Sequence, residues 1–181
     1  MAKYLLDTNA YFEILKYVVG QEDNEIIRRI INEKCYISKL TKIEIISVIG
    51  KYSRGQSKQI QICDRVHEDS ADKCGRRYVI AERRKWNSRK LRDWMKLEKE
   101  ITNGTNEKIK IEVLEINPKV VSEAERFIQH ALKQNFKSMD AMILGTASAY
   151  SEQGNEMIVV TADKGLKAGM NRIGFSYLSL V

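Results

Sequence analysis

The chain has 181 residues, of which 43% are hydrophobic and only one is proline, and it carries a formal net charge of +7. This length and composition predict one folded domain with a substantial core, and they exclude a disordered or low-complexity protein. No apolar run is long enough to cross a membrane, and three cysteines without a recognisable secretion signal predict a cytoplasmic protein.

The first 52 residues predict strands that alternate with helices. Short apolar runs at 3–6 and 35–37 are typical of buried strands. Apolar side chains at helical spacing predict three helices, over 10–19, 22–33 and 41–52.

The segment 56–101 differs from its surroundings because it is long, strongly charged and has no clear breaker other than Gly75. We expect two or more amphipathic helices there, forming a basic helical insertion at about 56–103. Residues 51–99 hold 15 basic and 7 acidic side chains, whereas the remainder holds 16 basic and 17 acidic ones. The positive charge therefore belongs to one segment, which indicates a surface that faces a polyanion.

The last third of the chain returns to regular alternation. The expected elements are a strand at 110–116, helices at 118–133 and 138–150, a strand at 157–160, a short helix at 163–170 and a strand at 175–180. Strands that alternate with helices predict an α/β fold with a mostly parallel sheet covered on both faces. In such folds, functional sites lie at the carboxyl ends of the strands.

Four acidic residues are expected at that edge of the sheet. They are Asp7 and Asp163, which follow buried strands, and Glu44 and Asp140, which lie near helix starts. Carboxylates brought this close raise one another's pKa, and a hard divalent cation removes the conflict. Bound Mg²⁺ or Mn²⁺ could polarise a phosphate and generate a hydroxide for in-line attack.

Each acid also has a structural explanation of its own. Asp7 and Asp163 could cap the helices that follow them. Glu44 could form a capping box with Thr41, and Asp140 follows a plausible N-cap at Ser138. A carboxylate can cap a helix and bind a metal ion at once, so the two interpretations remain compatible.

Four motifs carry a resemblance to a known family: Y-L-L-D-T-N, T-K-I-E-I, S-M-D-A-M-I-L-G-T-A and I-V-V-T-A-D-K. In this order they resemble the acidic motifs of the PIN-domain ribonucleases, many of which are VapC-like toxins of toxin–antitoxin pairs. The resemblance covers 3–55 and 110–180. It implies a three-layer α/β/α sandwich, and we expect a single PIN-like domain over 1–181 with the basic insertion inside it.

The resemblance also implies an activity, partners and site residues. The protein would be a Mg²⁺- or Mn²⁺-dependent endoribonuclease that acts on RNA as a homodimer, and its partner would be a cognate antitoxin. Asp7, Glu44, Asp140 and Asp163 would be the catalytic, metal-binding acids, supported by the polar groups of Thr8, Asn9 and Thr161. Many relatives carry a further acid or asparagine after the last motif, but here no Asp or Glu follows Asp163. One ion is therefore favoured over two.

Basic and aromatic side chains crowd the segment 76–94. We expect RNA or an acidic antitoxin tail to contact Arg76, Arg77, Arg83, Arg84, Lys85 and Arg89. The positive charge does not distinguish RNA from an antitoxin as the partner. Trp86 and Trp94 lie eight residues apart, and we expect them to join a hydrophobic cluster on one helix face rather than stack on bases.

Three other interpretations compete with a nuclease. The first is a PIN-like module that binds RNA or assembles without catalysis. The second is a small-molecule phosphotransferase with Asp7 as nucleophile, which is disfavoured because position 9 lacks the second aspartate. The third is a zinc site at Cys63, His67 and Cys74, which is disfavoured because a zinc site usually needs four such ligands.

Overall fold

The computed structural model describes residues 2–21, 23–63, 75–130, 137–151 and 156–180. The chain divides into two compact units. The sheet unit comprises Met1–Ile46 and Lys96–Val181, and the hairpin unit comprises Ser47–Met95. None of the helices in the described ranges is long and apolar enough to span a bilayer.

Strands and helices follow one another along the chain much as the apolar spacing predicts. The elements are β1 (Lys3–Leu6), α1 (Thr8–Val18), α2 (Glu25–Ile30), β2 (Lys34–Ser38), α3 (Lys39–Arg54), β3 (Gln59–Ile62), β4 (Arg77–Ile80), α4 (Ser88–Thr102), β5 (Ile111–Leu114), α5 (Pro118–His130), α6 (Ser138–Tyr150), β6 (Met157–Thr161), α7 (Lys164–Ile173) and β7 (Tyr177–Ser179). The helix expected at 22–33 is shorter, because the Asn24 side chain accepts hydrogen bonds from the N–H groups of Ile26 and Ile27 and caps it there.

The sheet unit is built on a five-stranded parallel sheet in the order β5-β2-β1-β6-β7. With its helices it forms the three-layer α/β/α fold that the sequence predicts. Because all five strands are parallel, their carboxyl ends meet at one edge. The chain leaves β1 toward β2 and later returns to its other side as β6, so the topological switch point lies between β1 and β6.

Helices α5 and α6 pack closely enough to require glycine at their contact. A Cβ atom on Gly145 would lie 2.5 Å from the carbonyl oxygen of Val120 and 2.8 Å from the backbone nitrogen of Ala124. Below them, Leu5, Leu144 and other apolar side chains form a buried core. This packing holds α6, which carries Asp140 in its first turn, against the sheet.

The hairpin unit corrects the prediction of helices throughout 56–101. Strands β3 and β4 form an antiparallel pair in which Gln59 faces Ile80 and Ile62 faces Arg77, and the predicted helix is confirmed only from the start of α4. The segment Q-I-Q-I alternates with a period of two, and both it and R-Y-V-I carry β-branched residues, which favours strands.

An aromatic cluster in the hairpin unit confirms part of the prediction for the tryptophans. The ring of Trp86 stacks on Tyr52 at a centroid distance of 4.2 Å and contacts Trp94 at 4.6 Å. The two tryptophans do not share a helix face, because Trp86 precedes α4. The hydrophobic cluster is therefore confirmed, and the helical arrangement expected for it is wrong.

Candidate active site

Asp7 lies at the carboxyl end of β1, at the switch point of the sheet. Its backbone N–H donates to the carbonyl oxygen of Val160 at 3.1 Å, which extends the pairing of β1 with β6. Its carboxylate accepts a hydrogen bond from the N–H of Ala10 at 2.8 Å, so the predicted cap of α1 is confirmed. The other carboxylate oxygen accepts from the hydroxyl of Thr161.

Burial is the main cause that raises the pKa of Asp7, to about 6. The negative charge of Asp163 raises it further, while the hydrogen bonds from Ala10, Thr161 and the backbone of Asn9 lower it. Asn9 thus acts through its backbone, and the residue itself is exposed. Asp7 is a buried carboxylate whose charge is destabilised in the absence of a cation.

Thr161 connects two of the acidic residues. Its fully buried hydroxyl accepts a hydrogen bond from the backbone N–H of Asp163 at 2.9 Å and donates to Asp7. The carboxylate of Asp163 caps α7 as predicted, accepting from the N–H groups of Gly165 at 2.6 Å and Leu166 at 3.0 Å. One hydroxyl therefore sets the relative positions of the acids that end β1 and follow β6.

The predicted capping box at Glu44 is wrong. Helix α3 begins at Lys39, and the hydroxyl of Ser38 accepts the N–H of Thr41 at 3.0 Å. Glu44 consequently lies in the second turn, too far along the helix to reach its unpaired N–H groups. Its carboxylate accepts a hydrogen bond from the hydroxyl of Thr8 instead. Capping therefore does not explain an acid at this position.

Asp140 is half-buried in the first turn of α6. Its carboxylate accepts the backbone N–H of Lys137 at 3.0 Å, and Ser138 is the first helical residue rather than the predicted N-cap. Burial chiefly raises the pKa of Asp140, and the charges of Asp163 and Glu44 raise it further. Lys137 opposes this rise through its N–H and its ammonium group, a role that the sequence analysis missed.

The four predicted acids come from four separate elements and act on one another electrostatically. The charge of Asp163 raises the pKa of both Asp7 and Asp140, and Glu44 also acts on Asp140. Three of the four carboxylates use an oxygen to accept a backbone N–H at a helix start. The sheet edge thus concentrates negative charge on partly anchored side chains.

These side chains suit a hard cation in their chemistry, because every donor is a carboxylate or hydroxyl oxygen. Over the described ranges, no three His, Cys, Asp or Glu side chains lie close enough together to hold a metal ion by themselves. An open set of carboxylates is the arrangement expected for Mg²⁺, which keeps several waters and takes few protein ligands.

The predicted basic contacts lie in the hairpin unit. Five of them are exposed: Arg76, Arg77, Arg84, Lys85 and Arg89. Arg83 is half-buried, with its guanidinium 5.2 Å from the centre of the Tyr52 ring. Of the three residues considered for zinc, Cys63 is a half-buried free thiol, and His67 and Cys74 lie outside the described residues.

Comparison with known proteins gives both a family and similar folds. The family model of the PIN domain matches residues 4–169. DNA-bound VapBC from Salmonella typhimurium is similar with a TM-score of 0.57 and 18% identity, over 100% of both chains. FitAcB from Neisseria gonorrhoeae is similar with a TM-score of 0.55 and 16% identity, over 98% of this chain and 97% of that one.

A third similar structure is VapBC2 from Rickettsia felis, bound to a DNA fragment from its promoter. Its TM-score is 0.52 at 12% identity, over 98% of both chains. At these identities the likeness is one of fold. A search of curated proteins found no match.

Proposed function

This chain belongs to the PIN-domain family, whose members are generally nucleases, and we propose that it is a Mg²⁺- or Mn²⁺-dependent endoribonuclease. The observation that carries the proposal is the electrostatic coupling of Asp7, Asp140, Asp163 and Glu44 at the carboxyl edge of the sheet. Burying like charges together lowers the stability of a fold. A bound divalent cation would compensate these charges, which accounts for their presence at one edge.

Each acid has a defined part in this proposal. Asp7 is the central ligand, because it lies at the switch point and its charge is the most buried of the four. Asp163 and Asp140 approach from the neighbouring helix starts, and Glu44 approaches from α3. When bound, the ion supplies a Lewis acid for the scissile phosphate and lowers the pKa of a coordinated water.

The hydroxyl groups act as positioning groups. Thr161 holds the carboxylate of Asp7 and the backbone of Asp163, while Thr8 holds the carboxylate of Glu44. Because the ligands are oriented before the ion arrives, less conformational freedom is lost when it binds.

We further propose that the enzyme is the toxin of a toxin–antitoxin pair and acts as a homodimer. The similar folds of VapBC and FitAcB support the toxin–antitoxin part of this proposal, and the homodimer rests on the family resemblance alone. The cognate antitoxin would be an acidic protein, because the exposed arginines of the hairpin unit offer a surface to a polyanion. RNA could use the same side chains, so toxin inhibition and substrate binding would compete.

Cleavage of a mixed RNA pool by the purified protein tests the nuclease. We expect cleavage with Mg²⁺ or Mn²⁺, none with EDTA, and a loss of about a hundredfold or more in D140N. D23N makes the same chemical change at an exposed site and should leave the rate unaltered.

Cleavage that survives both EDTA and D140N would contradict the proposal. Metal-independent RNA binding without any cleavage would favour the alternative, a non-catalytic PIN-like module that binds RNA or supports assembly.

A further inference from the structure

A concave pocket of about 440 Å³ lies in the sheet unit, away from the carboxylates. It is lined by Arg126, Phe127, His130, Arg172 and Ile173, from the last turns of α5 and α7. Helix α7 runs ten residues onward from Asp163, so at 1.5 Å per residue its last turn lies about 15 Å from that acid. The pocket is therefore separate from the candidate active site.

The floor of the pocket is part of the hydrophobic core. Phe127 is only 7% exposed, and Ile173 packs against the same cluster. The ring of Phe175 meets Phe127 edge-on, with centroids 5.9 Å apart and an angle of 86° between the planes. A floor held in this way does not need to reorganise when a ligand binds.

One cation of the pocket is held in place by its neighbours. The guanidinium of Arg126 lies 4.7 Å from the centre of the Phe127 ring and forms an ion pair with Glu123. The carboxylate of Glu123 also accepts the hydroxyl of Ser148 at 2.7 Å. Arg126 consequently presents a planar surface whose charge is largely balanced by Glu123.

The other two basic groups are available to a ligand. Arg172 is exposed and forms no ion pair with any residue that the structure describes. Nδ1 of His130 lies 2.7 Å from the carbonyl oxygen of Arg126, which places the proton on Nδ1 and leaves Nε2 for a ligand. Basic residues are common in the last turn of a helix, where the helix dipole stabilises positive charge. Here the basic residues of two helices line the same pocket.

We propose that this pocket binds a nucleoside monophosphate, either free or as the terminal nucleotide of an RNA strand. The phosphate accepts charge-assisted hydrogen bonds from Arg172 and from the Nε2–H of doubly protonated His130. The nucleoside lies against Ile173 and the guanidinium plane of Arg126, because bases stack on such planes. The volume exceeds what inorganic phosphate needs and lies in the range of small-molecule sites. A peptide of acidic residues alone has no planar ring for this surface.

Isothermal titration of the full chain with adenosine 5′-monophosphate in EDTA tests the proposal. EDTA suppresses metal-dependent cleavage, so the result is independent of the proposed nuclease activity. We expect binding to the wild type, at least tenfold weaker binding of adenosine, and at least tenfold weaker binding to R172Q and to H130Q. R29Q, an equivalent change on the exposed face of α2, should bind like the wild type.

A second titration separates the two sources of the nucleotide. Tighter binding of a 5′-phosphorylated oligoribonucleotide than of adenosine 5′-monophosphate assigns the pocket to an RNA end, and weaker binding assigns it to a free nucleotide. Three outcomes overturn the proposal: no binding at millimolar nucleotide, equal binding to wild type, R172Q and H130Q, or equally effective displacement by polyglutamate. Both replaced side chains are exposed, so we expect R172Q and H130Q to fold, and thermal melting checks this.

Discussion

Aliphatic side chains in β1 and in β3 have opposite surroundings. Leu5 and Leu6 are fully buried in the middle of the parallel sheet, whereas Ile60 and Ile62 are 70% and 64% exposed. Strand β1 has parallel neighbours on both sides, while β3 pairs with β4 in a two-stranded sheet. Stability should therefore come mainly from the sheet unit, because buried apolar area and not residue type supplies the free energy.

Charged side chains show the same contrast. The carboxylates at the sheet edge are held by backbone N–H groups and by the hydroxyls of Thr8 and Thr161. Most arginines of the hairpin unit are exposed. Acids held in fixed positions are suitable metal ligands, because catalysis needs a fixed geometry. Long, exposed cationic side chains can adjust their positions to the phosphates of a polyanion.

The largest expected effect compares the two kinds of strand directly. L5A should lower the free energy of unfolding by about 3 to 4 kcal/mol, because it leaves a cavity in the core. I60A should change it by less than about 0.5 kcal/mol, because the side chain already contacts water. Urea denaturation measures both, and similar losses in the two variants would show that the hairpin strand is buried in solution.

Asp7 should be a source of instability in the metal-free protein. Its pKa is raised from 3.8 to about 6, so its favourable contribution is complete below pH 3.8 and is lost as the pH rises through 6. In EDTA at pH 8, D7N should therefore raise the free energy of unfolding by about 3 kcal/mol.

The same comparison at pH 4 serves as the control. The protonated side chain of Asp7 and the asparagine that replaces it in D7N are both neutral there, so the difference should nearly vanish. A D7N variant that is less stable than the wild type at pH 8 would mean that the buried charge is already compensated. Denaturant titration at the two pH values measures the difference in the free energy of unfolding between D7N and the wild type.

Removing the hydroxyl of Thr161 should lower activity without removing any acid. T161V breaks the link between Asp7 and Asp163, and we expect a loss of about 10- to 100-fold in metal affinity or cleavage rate. T146V is the matched control, because the hydroxyl of Thr146 is buried but bonds to the carbonyl oxygen of Met142 within α6. Equal activities of T161V and T146V would contradict a positioning role.

The smallest expected effect concerns the exposed cations. R84Q and R89Q should each weaken RNA binding by a few-fold and lower the salt dependence of log K by about one. Fluorescence anisotropy in EDTA over a range of salt concentrations measures this slope. R28Q and R29Q, on α2, make the same change in the sheet unit and should leave the slope unaltered.

Much of the fold and of the acidic site could be predicted because the signals are local. The run Tyr4–Leu6 predicts a buried strand, and the directly following Asp7 must then lie at the carboxyl edge of a parallel sheet. The same argument places Asp163 just beyond β6. Apolar spacing likewise predicts α6 with its correct bounds, Ser138–Tyr150.

The predictions were wrong where the local structure depends on pairing with residues distant in the sequence. Each strand of the hairpin has four residues, too few for a firm alternation signal in a charged segment, and pairing joins Gln59 to Ile80 across the chain. At α3, the hydroxyl of Ser38 accepts a backbone N–H at the helix start, and the predicted cap, Thr41, does not. The end of β2 at Ser38 decides between them, and that end depends on pairing with β1 and β5.

The sequence by itself determined the class of the fold, the order of the elements in the sheet unit and the position of the four acids at strand ends and near helix starts, because periodicity and residue chemistry act over a few neighbouring positions. Only the tertiary structure decided that Thr161 links Asp7 to Asp163 and that Arg126, His130 and Arg172 share one pocket. These groups lie far apart along the chain, and only the packed sheet and helices bring them within reach of each other.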